Sequence, residues 1–546
     1  MNKGLLIVAI VLIGIGAVLG GFFGRSTHRT TASSALTTER ISDNFAEALE
    51  LIDKNYSDDV EREEILDSAV QTMLFSLDPH SSFFTKNELK KLFEEQSSRF
   101  FGIGVSILQH RDGVYVQSVV PNTPAEKQGM RYGDRIVKVD GKDATKWSAG
   151  EVSRNVRGPE GTNVNVQVER VGSEKPVSFD IKRGGVPYPS IRNSFMLDKR
   201  VGYVGLSAGF QETTSDELDA AIEQLKKQGM ESLILDLRNN VGGLLPQAIE
   251  VTSRFVEKGK TVVSVKGRSN YTNAQELKAV GAPLHEFPLV VMINGGSASA
   301  SEIVAGAIQD YGRGLVVGSE SFGKGLVQKI YPLPYGTGLT LTTARYYTPY
   351  GRSLQRDYSN GSIYEYFSNG NGEENDQKPG GSLAKPKGKP VETAGGRVYY
   401  GGRGIEPDLK APPLELTALR FRISEAAFFF VRKLAAGKVR GFESLRAEKQ
   451  TYATVIGKND VVVSNALFRK FISDSVADPE NGLTAENIES QASYAKARLR
   501  AQLATAKYSG EAGFQVAMET DPQVLKAIDA IPDARILAKK VMAKNQ

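Results

Sequence analysis

The chain has 546 residues, 40% of them hydrophobic, which leaves room for about three or four domains with packed cores. Its 68 Lys and Arg against 63 Asp and Glu give a formal charge of +5, and without a long basic run this argues against nucleic-acid binding. The absence of cysteine excludes thiol nucleophiles, cysteine-ligated zinc and disulfides; the four histidines, His28, His80, His110 and His285, lack His-Glu-x-x-His spacing, so no metal and no cofactor is expected.

In chain order, Leu5 to Phe23 is an uninterrupted run of apolar residues and glycine, long enough at about 1.5 Å per residue to cross a bilayer. Residues 1–25 therefore form a membrane anchor or a signal segment. The length favours an uncleaved anchor, although Ala32-Ser33-Ser34-Ala35 has the small residues of a cleavage site, which would release the chain. Lys3 on one side and Arg25 and Arg29 on the other mark orientation weakly. After a Ser/Thr-rich linker, 26–38, the region 39–98 has helical spacing, with Phe45, Leu49, Ile52 and Tyr56 and then Ile65, Ala69, Met73 and Leu77 on common faces. Pro79 ends that pattern.

Residues 99–185 switch to short alternating strands such as Val114-Tyr115-Val116 and Val164 to Val168, with turns such as Tyr132-Gly133-Asp134, and predict a compact β-rich module. Pro124 opens a short helix behind the N-cap Thr123. From 186 to 356 strands alternate with helices: Val201 to Val204, Leu233 to Leu237, Leu289 to Ile293 and Leu315 to Val317, interleaved with helices at 215–228, 245–255 and 299–309. The ligand site of such an α/β domain is expected at the carboxyl ends of its strands, two of which carry the glycine turns Gly242-Gly243 and Gly295-Gly296. Residues 357–396, rich in Gly, Asn, Glu, Lys and Pro, read as a flexible insertion, and 397–412 as a return to the α/β domain. The region 414–546 is helical, with apolar clusters such as Ala426 to Val431 that suit packing on the core or on another subunit.

The chemistry concentrates between Asn294 and Gln328. A serine is a weak nucleophile, and the base this segment supplies is Lys324, 25 residues past Ser299. An amine accepts a proton only when neutral, so Lys324 must be buried enough to lower its pKa. Gly295 and Gly296 allow a sharp turn, so the serines enter at a helix N-terminus whose free N–H groups favour a developing oxyanion. Ser297 and Ser301 are alternative nucleophiles, and His80 or His285 alternative bases, because sequence does not say which groups meet in space.

Two resemblances order these pieces. Gly102-Ile103-Gly104-Val105, a strand, Pro124-Ala125, then Gly133-Asp134-Arg135-Ile136 resemble a PDZ domain of the circularly permuted bacterial kind. That resemblance implies that Gly102, Ile103, Gly104 and Val105 receive a peptide's terminal carboxylate on backbone N–H groups, with the peptide added as a strand. With Leu77-Asp78-Pro79-His80-Ser81, Arg157-Gly158-Pro159, Leu235 to Gly243, the Ser299 segment, Phe322-Gly323-Lys324-Gly325, Thr343 to Pro349 and Gly404-Ile405-x-Pro407-Asp408, residues 40 to 410 resemble the carboxyl-terminal processing, or tail-specific, proteases. The family implies an α/β, crotonase-like core with an inserted PDZ domain behind an N-terminal helical segment; the helical C-terminal region is read from this chain alone. It implies Ser299 as nucleophile, Lys324 as general base, Gln328 as the residue orienting the amine, and the N–H groups of Gly243 and Ala300 as the oxyanion hole. Arg170, near the end of the PDZ module, is a candidate link between tail occupancy and the core. The implied partners are proteins with free C-termini, a bacterial inner membrane with the protease facing the periplasm or exterior, and a homo-oligomer or accessory activator. The reading from another class is a membrane-tethered adaptor that binds C-termini without cutting; acyl-CoA chemistry shares the core but has no nucleotide-binding signal here.

Overall fold

The computed structural model describes residues 37–545 apart from 97–98, 198–199, 269–274, 283, 359–365, 368–387, 448, 453–455 and 458. The Leu5 to Phe23 run lies outside the described residues, and so does most of the 357–396 insertion. No helix among the described residues is long and apolar enough to cross a membrane. Residues 37–70 fall in a unit of their own. It holds the helix Thr38–Asn55, whose first turn is closed by Thr37 Oγ1 accepting from the Arg40 N–H, and the start of the helix Arg62–Phe75.

The second unit is mixed α/β. Its central sheet runs in the order Ile191–Met196, Val201–Leu206, Ser232–Asp236, Leu289–Ile293, Leu315–Gly318, Leu409–Lys410, parallel from the second strand onward. Strands apolar at every position must be covered on both faces, and these are. Leu233, Leu235, Val291 and Ile293 pack against the helices Thr214–Lys227, Leu245–Ser253 and Ala300–Asp310. Their alternates Ile234, Val290 and Met292 face Val524, Ala527, Ile531 and Ala534 of the C-terminal helices Pro522–Asp529 and Ile531–Asn545. The helical C-terminal region is therefore the second layer of this core. A second, antiparallel sheet joins Ser82–Phe84, Gly338–Tyr347, Thr261–Gly267 and Gln275–Lys278, with Leu326–Pro332 paired to Gly338–Tyr347. Pro390–Glu392 and Val398–Tyr400 form a hairpin, so the end of the expected insertion belongs to a folded element.

The β-rich module is inserted through a two-stranded ribbon in which Arg99–Gly102 pairs antiparallel with Gly184–Pro187. Its sheet runs Val105–His110, Gly113–Val119, Arg135–Val139, Asn163–Glu169, Val177–Lys182, so Val105–His110 is an edge strand. A Ser148/Glu151 capping box starts the helix Ala149–Val156, which buries Val152 and Val156 in the module core. The C-terminal helices hold the module as well: His110 stacks on Phe428 with ring centroids 3.9 Å apart, and the Tyr132 hydroxyl donates to Gln502 Oε1 at 2.9 Å.

Candidate active site

After the strand Leu289–Ile293, Asn294 closes the glycine turn by accepting from the Gly296 N–H at 3.0 Å. The three serines that follow have different fates. Ser297 and Ser301 are fully buried, and their hydroxyls donate to Leu237 O at 2.8 Å and Asn240 O at 2.9 Å. Ser299 is part-exposed and sits at the N-cap of Ala300–Asp310 with φ 55° and ψ −113°. Such a backbone costs about 1–3 kcal/mol for a residue with a Cβ and persists only where the surroundings impose it.

Glu302 imposes it. This carboxylate has no exposed surface and accepts four hydrogen bonds: from the Ser299 N–H at 2.8 Å, the Lys324 N–H at 2.8 Å, the Gly323 N–H at 2.7 Å and the Ser321 hydroxyl at 2.5 Å. The Ser299 and Lys324 amides share one oxygen, Oε2, so a single side chain ties the Ser299 and Lys324 segments together. Burial raises the Glu302 pKa, and the four donors oppose that rise. Gly404 closes the pocket from above: a Cβ there would lie 2.8 Å from Glu302 Oε1 and 2.5 Å from Ser321 Oγ. Sequence reasoning did not single out Glu302. Its signal was Ser299-x-x-Glu302, which reads as a capping box, and its burial among small apolar residues of one helix.

Lys324 leads into the strand Leu326–Pro332. Burial pushes its amine below the ordinary 10.5, while the nearby Glu302 and Asp78 carboxylates pull the other way. Its amine makes no hydrogen bond or ion pair among the described residues. Gln328 does not bond it either: a register shift between Val327 and Gln328 interrupts the alternation of the strand, and the Gln328 amide donates to the His80 carbonyl. His80 is placed by Asp78, whose Oδ1 accepts from the N–H groups of His80 and Ser81 at 2.8 Å each. The His80 ring bonds the Tyr366 hydroxyl through Nε2 at 2.8 Å, and burial followed by the Lys324 charge depresses its pKa to about 3. That value suits a neutral wall of the site better than a base working near neutrality. His285 stacks on Phe287 elsewhere in the fold, beside Lys226.

The second glycine turn lies against Ser299. Gly242 has φ +102°, and a Cβ there would be 2.7 Å from Ser299 Cβ and 3.0 Å from Ala300 N. The Gly242 N–H donates to Asn240 Oδ1 at 2.9 Å, whereas Gly243 is exposed and its N–H, like that of Ala300, has no partner among the described residues. Upstream, Arg238 is held by Asp236 and reaches Asp521 and Gln523 of the C-terminal region.

In the β-rich module, Gly104 has φ +89° and packs on Thr123, where a Cβ would approach to 2.3 Å. The carbonyls of Ile103 and Gly104 accept from Ala125 and Val120 at 2.8 and 2.9 Å, while their N–H groups have no partner among the described residues. Val105 then opens the edge strand opposite Val119, and Arg157 lies beside Gly102 with its guanidinium 4.3 Å above the Phe100 ring. Arg170 is engaged within the module, donating to Asp134 at 2.8 and 2.7 Å and to the Gly129 carbonyl.

A family model described as peptidase family S41 matches residues 200–361, and a PDZ-domain model matches residues 102–182. Over 315 residues the chain is 38% identical to the carboxy-terminal-processing protease of Bartonella bacilliformis, covering 57% of this chain and 72% of that protein. It is 32% identical over 352 residues to the carboxy-terminal processing protease CtpB of Bacillus subtilis, covering 62% and 72%. With CtpA of the same organism the identity is 32% over 359 residues, covering 65% and 76%.

Proposed function

Because the chain belongs to the carboxy-terminal processing proteases of peptidase family S41 and is a serine-type peptidase, we propose that it captures C-terminal tails of proteins on its PDZ domain and cuts them with a Ser299/Lys324 dyad. Ser299 Oγ attacks the scissile carbonyl carbon while its proton passes to the neutral Lys324 amine. The oxyanion of the tetrahedral intermediate accepts from the Gly243 and Ala300 N–H groups. Collapse breaks the C–N bond, the leaving amine takes the proton from Lys324, and water then hydrolyses the acyl ester by the same relay. Gln328, anchored through its amide N–H to His80, keeps its carbonyl for orienting the amine. The observation that carries this reading is the Glu302 carboxylate, which bonds the backbones of the proposed nucleophile and base on one oxygen.

The tail enters as an extra strand beside Val105–His110, its carboxylate on the N–H groups around Gly102 to Val105. The same reading makes the Leu5 to Phe23 run a membrane anchor with the protease outside the cytoplasm, which fractionation of the full chain tests. For activity, the wild-type chain and Ser299→Ala are incubated with an unstructured protein ending in a free carboxylate or its amide, and products are mapped by mass spectrometry. Products are expected only from wild type, and faster from the free acid. Equal rates for acid and amide would remove the carboxylate role; tail binding without any Ser299-dependent product would leave an adaptor in place of the protease.

A further inference from the structure

Arg238 is fixed from two sides. Its Nε and Nη2 grip Asp236 at 2.9 and 2.6 Å, and its backbone N–H donates to Asp236 Oδ1 at 2.9 Å. The opposite edge of the guanidinium, Nη1, donates to Asp521 Oδ2 at 2.9 Å and to Gln523 Oε1 at 2.7 Å. Both acceptors come from the start of the helix Pro522–Asp529, and both are committed locally: Asp521 Oδ1 caps that helix, and Gln523 Nε2 donates to Ala411 O at 2.7 Å. Arg238 thus meets an acceptor pair that is itself held in place. A planar guanidinium clamped on two edges has little freedom left, so the backbone that carries it is fixed as well.

That backbone leads directly into the proposed oxyanion turn. Asn239 follows with φ 59°, its N–H on Asn294 Oδ1 at 2.9 Å; buried Asn240 ties the turn to Leu206 and to the serine helix; then come Gly242 and Gly243. The strand Ser232–Asp236 ends at Asp236, so sheet pairing no longer guides the chain here. We propose that Asp521 and Gln523 are positioning residues for the oxyanion turn, acting through Arg238, so that the C-terminal helical region completes the active site of the α/β domain. This rests on the reading of Gly243 and Ala300 as oxyanion donors. Displacement of the Gly243 N–H by a fraction of an ångström weakens a bond made to the tetrahedral intermediate and barely touches substrate binding.

The test uses the full chain with Asp521→Ala, Gln523→Ala and Asp521→Asn, assayed on an unstructured peptide with a free C-terminus. A peptide boronate, whose tetrahedral adduct with Ser299 puts an oxygen at the oxyanion position, supplies the second readout. Asp521→Ala is expected to lower kcat tenfold or more with KM within twofold, and to weaken the boronate by a similar factor. Asp521→Asn, whose single acceptor oxygen can meet Arg238 only by giving up the helix cap, is expected to recover part of kcat. Should Asp521→Ala fail to fold, Gln523→Ala carries the same expectation. Wild-type kcat and boronate affinity in the alanine variants overturn the proposal, as does a loss of activity that merely follows the folded fraction in thermal melts. Equal boronate affinity of wild type and Ser299→Ala sinks the oxyanion reading itself, and the proposal falls with it.

Discussion

Lys324 is where opposing influences meet. Burial lowers its pKa and the Glu302 and Asp78 carboxylates raise it, with burial the larger, so the amine sheds its proton below 10.5. The proposed base works only when unprotonated, so kcat/KM is expected to rise with pH along an acid limb lying below the lysine norm. Lys324→Arg keeps a cation that never deprotonates and should lose about 10²- to 10⁴-fold at every pH. A pH–rate series on both chains checks this, and an active Lys324→Arg contradicts it. Glu302 shows why the carboxylate stays despite acting against that depression: four donors converge on it, and removing it would strand them at about 1–3 kcal/mol each.

The glycine turns act as elements. At Gly242 a methyl group would meet Ser299 Cβ at 2.7 Å and the Ala298 carbonyl at 2.8 Å, on a backbone of positive φ. Gly242→Ala is accordingly expected to destabilise the chain by about 1–3 kcal/mol and to lower kcat, read together by thermal melting and peptide turnover. Much of this was legible beforehand. Runs such as Leu233 to Leu235 and Leu289 to Ile293 are apolar at every position, and a parallel sheet covered on both faces produces that pattern. The helices at 214–227, 245–253 and 300–310 start within a residue of their expected positions. The antiparallel sheet built on Gly338–Tyr347 escaped notice because its strands are half-exposed and pair across long separations, as Ser82 does with Thr340. Spacing alone put Lys324 and Gln328 on one face; an irregularity of pairing, invisible in a single chain, turns Gln328 toward His80. Tyr366 bonds His80 from within a low-complexity insertion, where composition offers no hint of it.

Among the described residues, burial favours the uncharged form of His285 and, most of all, of His80 and His110. Burial is the leading cause for both, lowering His80 to about 3 and His110, against Phe428, to about 4. The unfolded chain takes up these protons near 6.5 while the folded chain resists, so this share of stability is whole above about pH 6.5 and is lost as pH falls toward 3–4. Unfolding midpoints across that window should fall on acidification, and His110→Phe should flatten the slope; an unaltered slope in that variant contradicts the assignment. Around His110 the C-terminal helices bond the PDZ domain through Arg111, which reaches Asp478 and Asn481, and through Arg432, which donates to Gly133 O. The same region covers the far face of the central sheet, so one stretch of chain touches both the PDZ domain and the core.

The Arg99–Gly102 and Gly184–Pro187 ribbon brings the two ends of the PDZ domain side by side, so the domain can be excised with its termini already adjacent. Cutting it out would, however, strip the cover from His110, Tyr115 and Tyr132, which in the intact chain lie under Phe428. A dissected fragment would carry a sticky aromatic scar that the parent never shows to solvent, and measurements of peptide capture on it would need those three rings made polar first.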